Sequence, residues 1–186
     1  MENTLLQQVL PQDQATPQAT LSSDYTIAGL EQLSYRYLSR GQLELMVLGG
    51  GPLPLRKSLA EDLFKFMLEN KGNLVIHPNW KDNLKHQLLR LLDVGQLLAY
   101  VREGKLVGLF GWAFIDDINS VNKVRWTLPD DITGGKILYL SFAILFKGEQ
   151  MGLVKRYFEE TGTRDRINQV YWGNIKRSKN YNRRVK

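Results

Sequence analysis

The period of apolar and polar positions changes several times along the chain, and each change predicts an element. Residues 2–10, ENTLLQQVL, set Leu5, Leu6, Val9 and Leu10 at helical spacing, and the PQDQATPQATLSSD that follows holds two prolines and almost nothing apolar. Residues 1–24 thus read as a short amphipathic peptide on an extended tether. In the next stretch, IAGLEQLSYRYLSR, Ile27, Leu30, Leu33, Tyr37 and Leu38 share one helical face, which predicts a helix. QLELMVL (42–48) then alternates Leu43, Leu45 and Val47 against Gln42, Glu44 and Met46, as a half-buried strand does.

GGGPLP (49–54) breaks the pattern. A helix over about 57–70 follows, with Leu59, Leu63, Phe66 and Met67 on one stripe and Asn70-Lys71-Gly72 suited to a left-handed cap. A second helix begins after His77-Pro78-Asn79-Trp80; Asn79 can cap it, Asp82 sits in its first turn, and Leu84, Leu88, Leu91 and Leu92 form its apolar stripe. Gly95 ends it. Strands are expected at 96–101, 105–115, 122–128, 136–146 and 167–175, the first two joined by a tight turn at Glu103-Gly104. The apolar run KILYLSFAILF (136–146) has the character of a central strand covered on both faces, and Met151, Val154, Tyr157 and Phe158 predict a helix over about 150–160 before Gly162. The order predicts one α/β domain over residues 25–175, a mixed and largely antiparallel sheet flanked by helices. GNAT-type acyltransferases, whose splayed central strands hold an acyl thioester, are among the folds with this order.

Composition narrows the function classes. The chain of 186 residues is 43% hydrophobic and has no cysteine, so disulfides, thiolate metal sites and cysteine nucleophiles are excluded. No apolar run approaches the roughly 20 residues of a membrane span, and the N-terminus lacks the basic region of a secretory signal. A cytoplasmic protein is expected. The net charge of +6 is local: residues 176–186 hold Lys176, Arg177, Lys179, Arg183, Arg184 and Lys186 with no acid, which leaves 25 − 6 = 19 bases against 19 acids elsewhere. This basic C-terminal tail could clamp phosphate, dock an acidic partner or be a solvated end.

Imidazole chemistry has two candidates. His86 lies at a polar position of the second helix and reads as exposed, whereas His77, between Leu74-Val75-Ile76 and a helix start, is held extended by Pro78 and can act as a base. No serine-nucleophile elbow is present, no histidine pair has metal-ligand spacing, and Gly49-Gly50-Gly51 lacks the lysine and hydroxyl pair of a phosphate loop. Neither a metal nor another cofactor is expected. The segment after the central strand, KGEQMGL, has Gly148 and Gly152 but not the glycine pattern that cradles the pyrophosphate of free CoA. Trp80, Trp112, Trp126 and Trp172 each adjoin an apolar face; core packing suits all four, and Trp112 is the best placed to line an acyl channel.

His77-Pro78-Asn79-Trp80 at a helix start, Gly111-Trp112-Ala113 in a hairpin, and Thr133-Gly134-Gly135 leading through a strand to Phe146-Lys147-Gly148 together resemble the toxin-activating lysine acyltransferases that modify RTX toxins. The resemblance covers about residues 72–175. It implies a GNAT-like fold, an acyl-acyl carrier protein donor, a protein lysine as acceptor, and His77 as the group that activates the amine or attacks the thioester. It also implies Asn79, Trp80, Trp112 and Gly148 as substrate-binding residues, and it puts Ser141 where the family carries the aspartate partner of the histidine. Serine can hydrogen-bond but cannot supply the charge that steadies an imidazolium; Asp116, Asp117, Asp130 or Asp131 could compensate from loops. An acidic carrier protein would be steered by basic surface such as the tail. The rival reading is a catalytically lapsed relative, a phage or plasmid structural or assembly protein, whose tails dock partner chains or nucleic acid.

Overall fold

The computed structural model describes residues 34–40, 43–70, 80–122, 127–144, 148–174 and 179–184. Among the described residues seven strands form a single sheet whose spatial order follows the chain: β1 (Ser34–Arg40), β2 (Leu43–Leu48), β3 (Leu97–Arg102), β4 (Lys105–Ile115), β5 (Ile137–Ile144), β6 (Gln169–Asn174) and β7 (Lys179–Arg184). All neighbours are antiparallel except β5 and β6. That parallel step is bridged by α3 (Gly148–Glu160) and the one-turn α4 (Thr163–Arg166), because parallel neighbours need a crossover connection. The mixed, largely antiparallel sheet flanked by helices is the arrangement expected from the order of elements.

Both faces of the sheet are covered. α1 (Leu53–Glu69) and α2 (Lys81–Asp93) contribute Leu59, Leu63, Phe66, Leu88, Leu91 and Leu92 to one core, against Met46, Leu48, Leu97, Ala99, Leu109, Ala113, Tyr139 and Phe142 of the sheet. α3 contributes Leu153, Val154 and Tyr157 to the other, against Leu43, Leu45, Leu98, Tyr100, Phe110, Trp112, Leu138 and Leu140. Successive strand residues point to opposite faces, so β3, β4 and β5 must be apolar almost throughout. β2 was expected to be half-buried; Met46 is instead buried, because its side of the strand lies under the helices.

The helical stripes of α1 and α2 are buried as their spacing predicts. α1 starts earlier than expected, at Leu53, because Pro52 and Pro54 occupy its start, where proline has no hydrogen bond to break. It ends at Asn70, whose φ of −106° is not left-handed; the backbone N–H and the side-chain amide of Asn70 both donate to the Phe66 carbonyl. Residues 71–79 lie outside the described residues, so the Asn79 cap is not described. Gly49-Gly50-Gly51 forms the turn from β2 into α1, and the Gly50 N–H reaches the Leu92 carbonyl at the end of α2.

Three expectations are corrected. Ser34–Arg40 is a strand, not the end of a helix: Tyr35, Tyr37 and Leu38 fit either period, and pairing with β2 along an open edge decides between them. The strand expected at 122–128 is reduced to one bridge between Asn122 and Thr127, outside the sheet, with 123–126 outside the described residues. The basic segment expected as a tail from residue 176 supplies β7 at 179–184, which pairs with β6 over six residues. Its NYN core has no apolar run to announce a strand, so the backbone ladder, not a hydrophobic pattern, places it.

The loop between β4 and β5 is pinned from two sides. Arg90 of α2 donates to the carbonyls of Leu128, Pro129 and Asp130, and Arg166 donates to the Thr133 carbonyl while its guanidinium lies 4.2 Å from the centre of the Phe114 ring. The backbone N–H groups of Thr133 and Gly134, with the Thr133 hydroxyl, bind the Asp131 carboxylate and hold it below its usual pKa. Gly135 then passes directly against β4, where a Cβ would fall 2.0 Å from the Ile115 carbonyl carbon. Gly135→Ala must force the two segments apart, and a loss of about 3 kcal/mol in unfolding free energy is expected from urea titration.

Burial pushes the Tyr139 phenol up to about 12, with added repulsion from Tyr171, on which it stacks at a centroid distance of 6.1 Å. A phenol raised in the folded state keeps its proton while the unfolded chain loses it above about pH 10. Its stabilising effect is therefore complete below pH 10 and is lost as the pH rises from 10 to 12. Tyr139→Phe should make the fall in unfolding free energy between pH 9 and 11 shallower by about 1 kcal/mol, measured by chemical denaturation at the two pH values.

Candidate functional site

β5 pairs with β4 from Ile137 to Ile144 but with β6 only from Ile137 to Leu140, where Leu140 stands opposite Trp172. Beyond that pair β5 continues for four residues and β6 for two with no further pairing between them among the described residues. The register against β4 slips at the same level: Gly111 faces Phe142 and Trp112 faces Leu140, so Ser141 is the extra residue of a β-bulge. A bulge re-aims side chains and bends its strand, and this one lies where pairing with the parallel partner stops. Gly111 permits the arrangement, since the Phe142 ring occupies the space a Cβ would take, with ring carbons at 2.6 Å.

Four buried side-chain atoms lack a hydrogen-bond partner among the described residues: Arg56 Nε, Gln96 Oε1, Trp112 Nε1 and Ser141 Oγ. Three of them lie on one transverse row of the sheet. The Trp112 backbone N–H donates to the Gln96 carbonyl at 3.2 Å, Trp112 faces Leu140, and Ser141 follows Leu140 on the bulge. Gln96, Trp112 and Ser141 are 5%, 2% and 5% exposed, so bulk solvent does not reach them. Leaving such groups unpaired costs about 1–3 kcal/mol each, and native proteins concentrate such costs at functional positions.

Aromatic rings wall this row. Trp112 packs edge-on against Tyr157 at 5.8 Å and Phe158 at 5.4 Å, both from α3, and lies beside Phe110 at 6.1 Å. The indole face is thus fixed while its N–H is unused.

Of the residues singled out from sequence, Trp112 and Ser141 come together at this row. Trp80 is half-buried against the core under α1 and α2, and Gly148 is the first residue of α3. His77 and Asn79 lie outside the described residues, as do Trp126, Lys176, Arg177 and Lys186; Lys179, Arg183 and Arg184 are on β7. His86 is exposed. The loop aspartates sit at the other end of β5: Ile115, which precedes Asp116 and Asp117, pairs with Ile137, and Ile132, which follows Asp130 and Asp131, bonds Phe114. Four residues of strand, about 13 Å, separate that end from Ser141, so these carboxylates lie away from the row. Gln96 was expected only as the first residue of a strand and not as part of the site, because a polar residue between a helix-ending glycine and an apolar run carries no sign of burial. Among the described residues no group of three or more metal-ligating side chains is present, and no helix is long and apolar enough to cross a membrane.

No protein-family model and no curated protein matches the sequence. Among solved structures the chain is similar to the loading GNATL domain of CurA from Lyngbya majuscula, with 16% sequence identity and a TM-score of 0.42. The likeness covers 71% of this chain and 64% of that one, so the chain spans just under two thirds of its length.

If the Ser141 hydroxyl is an unpaired buried group, Ser141→Ala should raise the unfolding free energy of the ligand-free protein by about 1 kcal/mol in urea titration. A decrease would mean that the hydroxyl is engaged in the fold.

Proposed function

We propose that the protein is an acyltransferase of the GNAT-like type that takes an acyl group from an acyl-carrier-protein thioester and passes it to a protein lysine. The observation that supports this reading is the parting of β5 from β6 beyond Leu140 and Trp172. Strand edges opened inside a sheet carry backbone N–H and C=O groups without ladder partners, and an extended thioester arm can bond them as an added strand would. The aromatic wall of Phe110, Trp112, Tyr157 and Phe158 beside it suits an alkyl chain.

In this reading the deprotonated lysine amine attacks the thioester carbonyl, the C–N bond forms, and the C–S bond breaks to release the carrier thiol. His77 takes the proton from the attacking nitrogen and returns it to the leaving sulfur; an imidazole titrates near neutral pH and suits both transfers. Ser141 then has a role that an aspartate could not fill: its unpaired hydroxyl donates to the carbonyl oxygen as negative charge develops there. Basic residues of the C-terminal segment, Lys179, Arg183 and Arg184 of β7 with Lys176, Arg177 and Lys186 flanking it in sequence, steer the acidic carrier.

The test supplies the full chain with dodecanoyl-acyl carrier protein as donor and polylysine as acceptor, and follows release of the carrier thiol together with the mass of the acceptor. Acylated lysine is expected, His77→Ala should lower the rate by about 100-fold or more, and added salt should weaken carrier binding. Transfer from dodecanoyl-CoA but not from the carrier would overturn the donor. No transfer from either, with salt-dependent retention on nucleic acid, would favour the assembly-protein reading.

A further inference from the structure

The row of unpaired atoms holds more polar capacity than a thioester carbonyl requires. Ser141 Oγ suffices for that oxygen, whereas Gln96 Oε1 and Trp112 Nε1 remain, one an acceptor and the other a donor. Gln96 and Trp112 stand opposite each other across the start of β3, joined by the Trp112 N–H bond to the Gln96 carbonyl. Directly opposed residues of antiparallel strands share a face, and Trp112 lies on the α3 face. The smallest group that satisfies a donor and an acceptor together is a single hydroxyl, whose oxygen accepts from the indole N–H and whose proton goes to the carboxamide oxygen.

We propose that Gln96 and Trp112 form a subsite for a hydroxyl on the ligand's acyl chain, so that the protein prefers a β-hydroxyacyl group to the plain chain of the same length. This rests on the acyl-thioester reading above. The position of the hydroxyl follows from the sheet. Trp112 is one strand from Ser141, about 4.8 Å in the pairing direction, which places the subsite within the first few carbons beyond the thioester carbonyl. The surroundings set the preference. Around the subsite the wall is aromatic and both residues are buried from bulk solvent, so a plain chain would leave both polar atoms unpaired, and sites built to bond a hydroxyl reject the analogue that lacks it.

The experiment measures binding, not transfer. The full chain is titrated calorimetrically with β-hydroxydodecanoyl-pantetheine, dodecanoyl-pantetheine and free β-hydroxydodecanoate. Wild type should bind the hydroxylated thioester about tenfold more tightly than the plain one. Gln96→Met and Trp112→Phe, which delete the polar atoms, should each bring that ratio close to one, and Gln96→Met, which lies outside the aromatic wall, should retain the affinity for the plain chain. Equal binding of the two thioesters by wild type, or a preference that survives both substitutions, would overturn the subsite while leaving the acyl-thioester reading in place. Binding of free β-hydroxydodecanoate that depends on Gln96 and Trp112, with neither thioester bound, would keep the subsite and overturn the reading on which the donor rests. Failure to bind any of the three overturns both. Should Trp112→Phe unfold, Gln96→Met decides alone.

Discussion

One unequal set of backbone hydrogen bonds governs the rest of the molecule: β5 is bonded to β4 along its whole length and to β6 for only half of it. The antiparallel side fixes β5 as a central strand, buried between α1 and α2 on one face and α3 on the other. The parallel side determines where the sheet opens. The crossover through α3 and α4 returns the chain beside the first half of β5, and the pairing of β5 with β6 stops at the level of the bulge at Ser141. An open strand edge is a hazard at the margin of a sheet but a resource within it, since helices on both faces prevent another chain from pairing with it. The opening and the burial of its lining thus have one structural cause.

Much of this architecture was legible because helices and hairpins announce themselves by period. The stripes Leu59–Leu63–Phe66–Met67 and Leu84–Leu88–Leu91–Leu92 lie on buried faces, and the tight turn at Glu103-Gly104 joins β3 to β4 as its residues predict. Legibility failed where backbone pairing outweighed side-chain pattern. β1 satisfies both helical and strand spacing, and β7, with Lys, Asn and Arg at most positions, satisfies neither in any hydrophobic sense; each is defined by the neighbour whose edge it extends. Edge strands gain little from burial, so their sequences carry little of the signal by which central strands are read.

The site was legible in part for a related reason. Trp112 and Ser141 stand out because a tryptophan in an apolar strand and a serine in a run of leucine and phenylalanine are departures from their local pattern. Gln96 is no departure from anything: it follows Gly95, as polar residues follow helices throughout proteins. Its burial arises because the α2–β3 turn is tight enough to return the chain immediately under the sheet, with the Gln96 N–H bonded to the Leu91 carbonyl. The bulge that brings Ser141 to the same row leaves no mark on sequence, since it is a choice of register between two strands and not a property of either.

The neutral side chain of Ser141 sets what the row can do electrostatically. A carboxylate buried at 5% exposure would need a cation or several donors to remain charged, and the loop aspartates Asp116, Asp117, Asp130 and Asp131 sit at the other end of β5. A hydroxyl makes no such demand. It can wait unpaired at a cost of about 1–3 kcal/mol, which a ligand oxygen then recovers on binding. The same holds for the Trp112 N–H and the Gln96 carboxamide, so the three together make a neutral row that favours neutral oxygen over anions. A stability deficit held in the empty protein and relieved by the correct ligand converts polar complementarity into selectivity, because a ligand without the matching oxygens leaves the deficit standing.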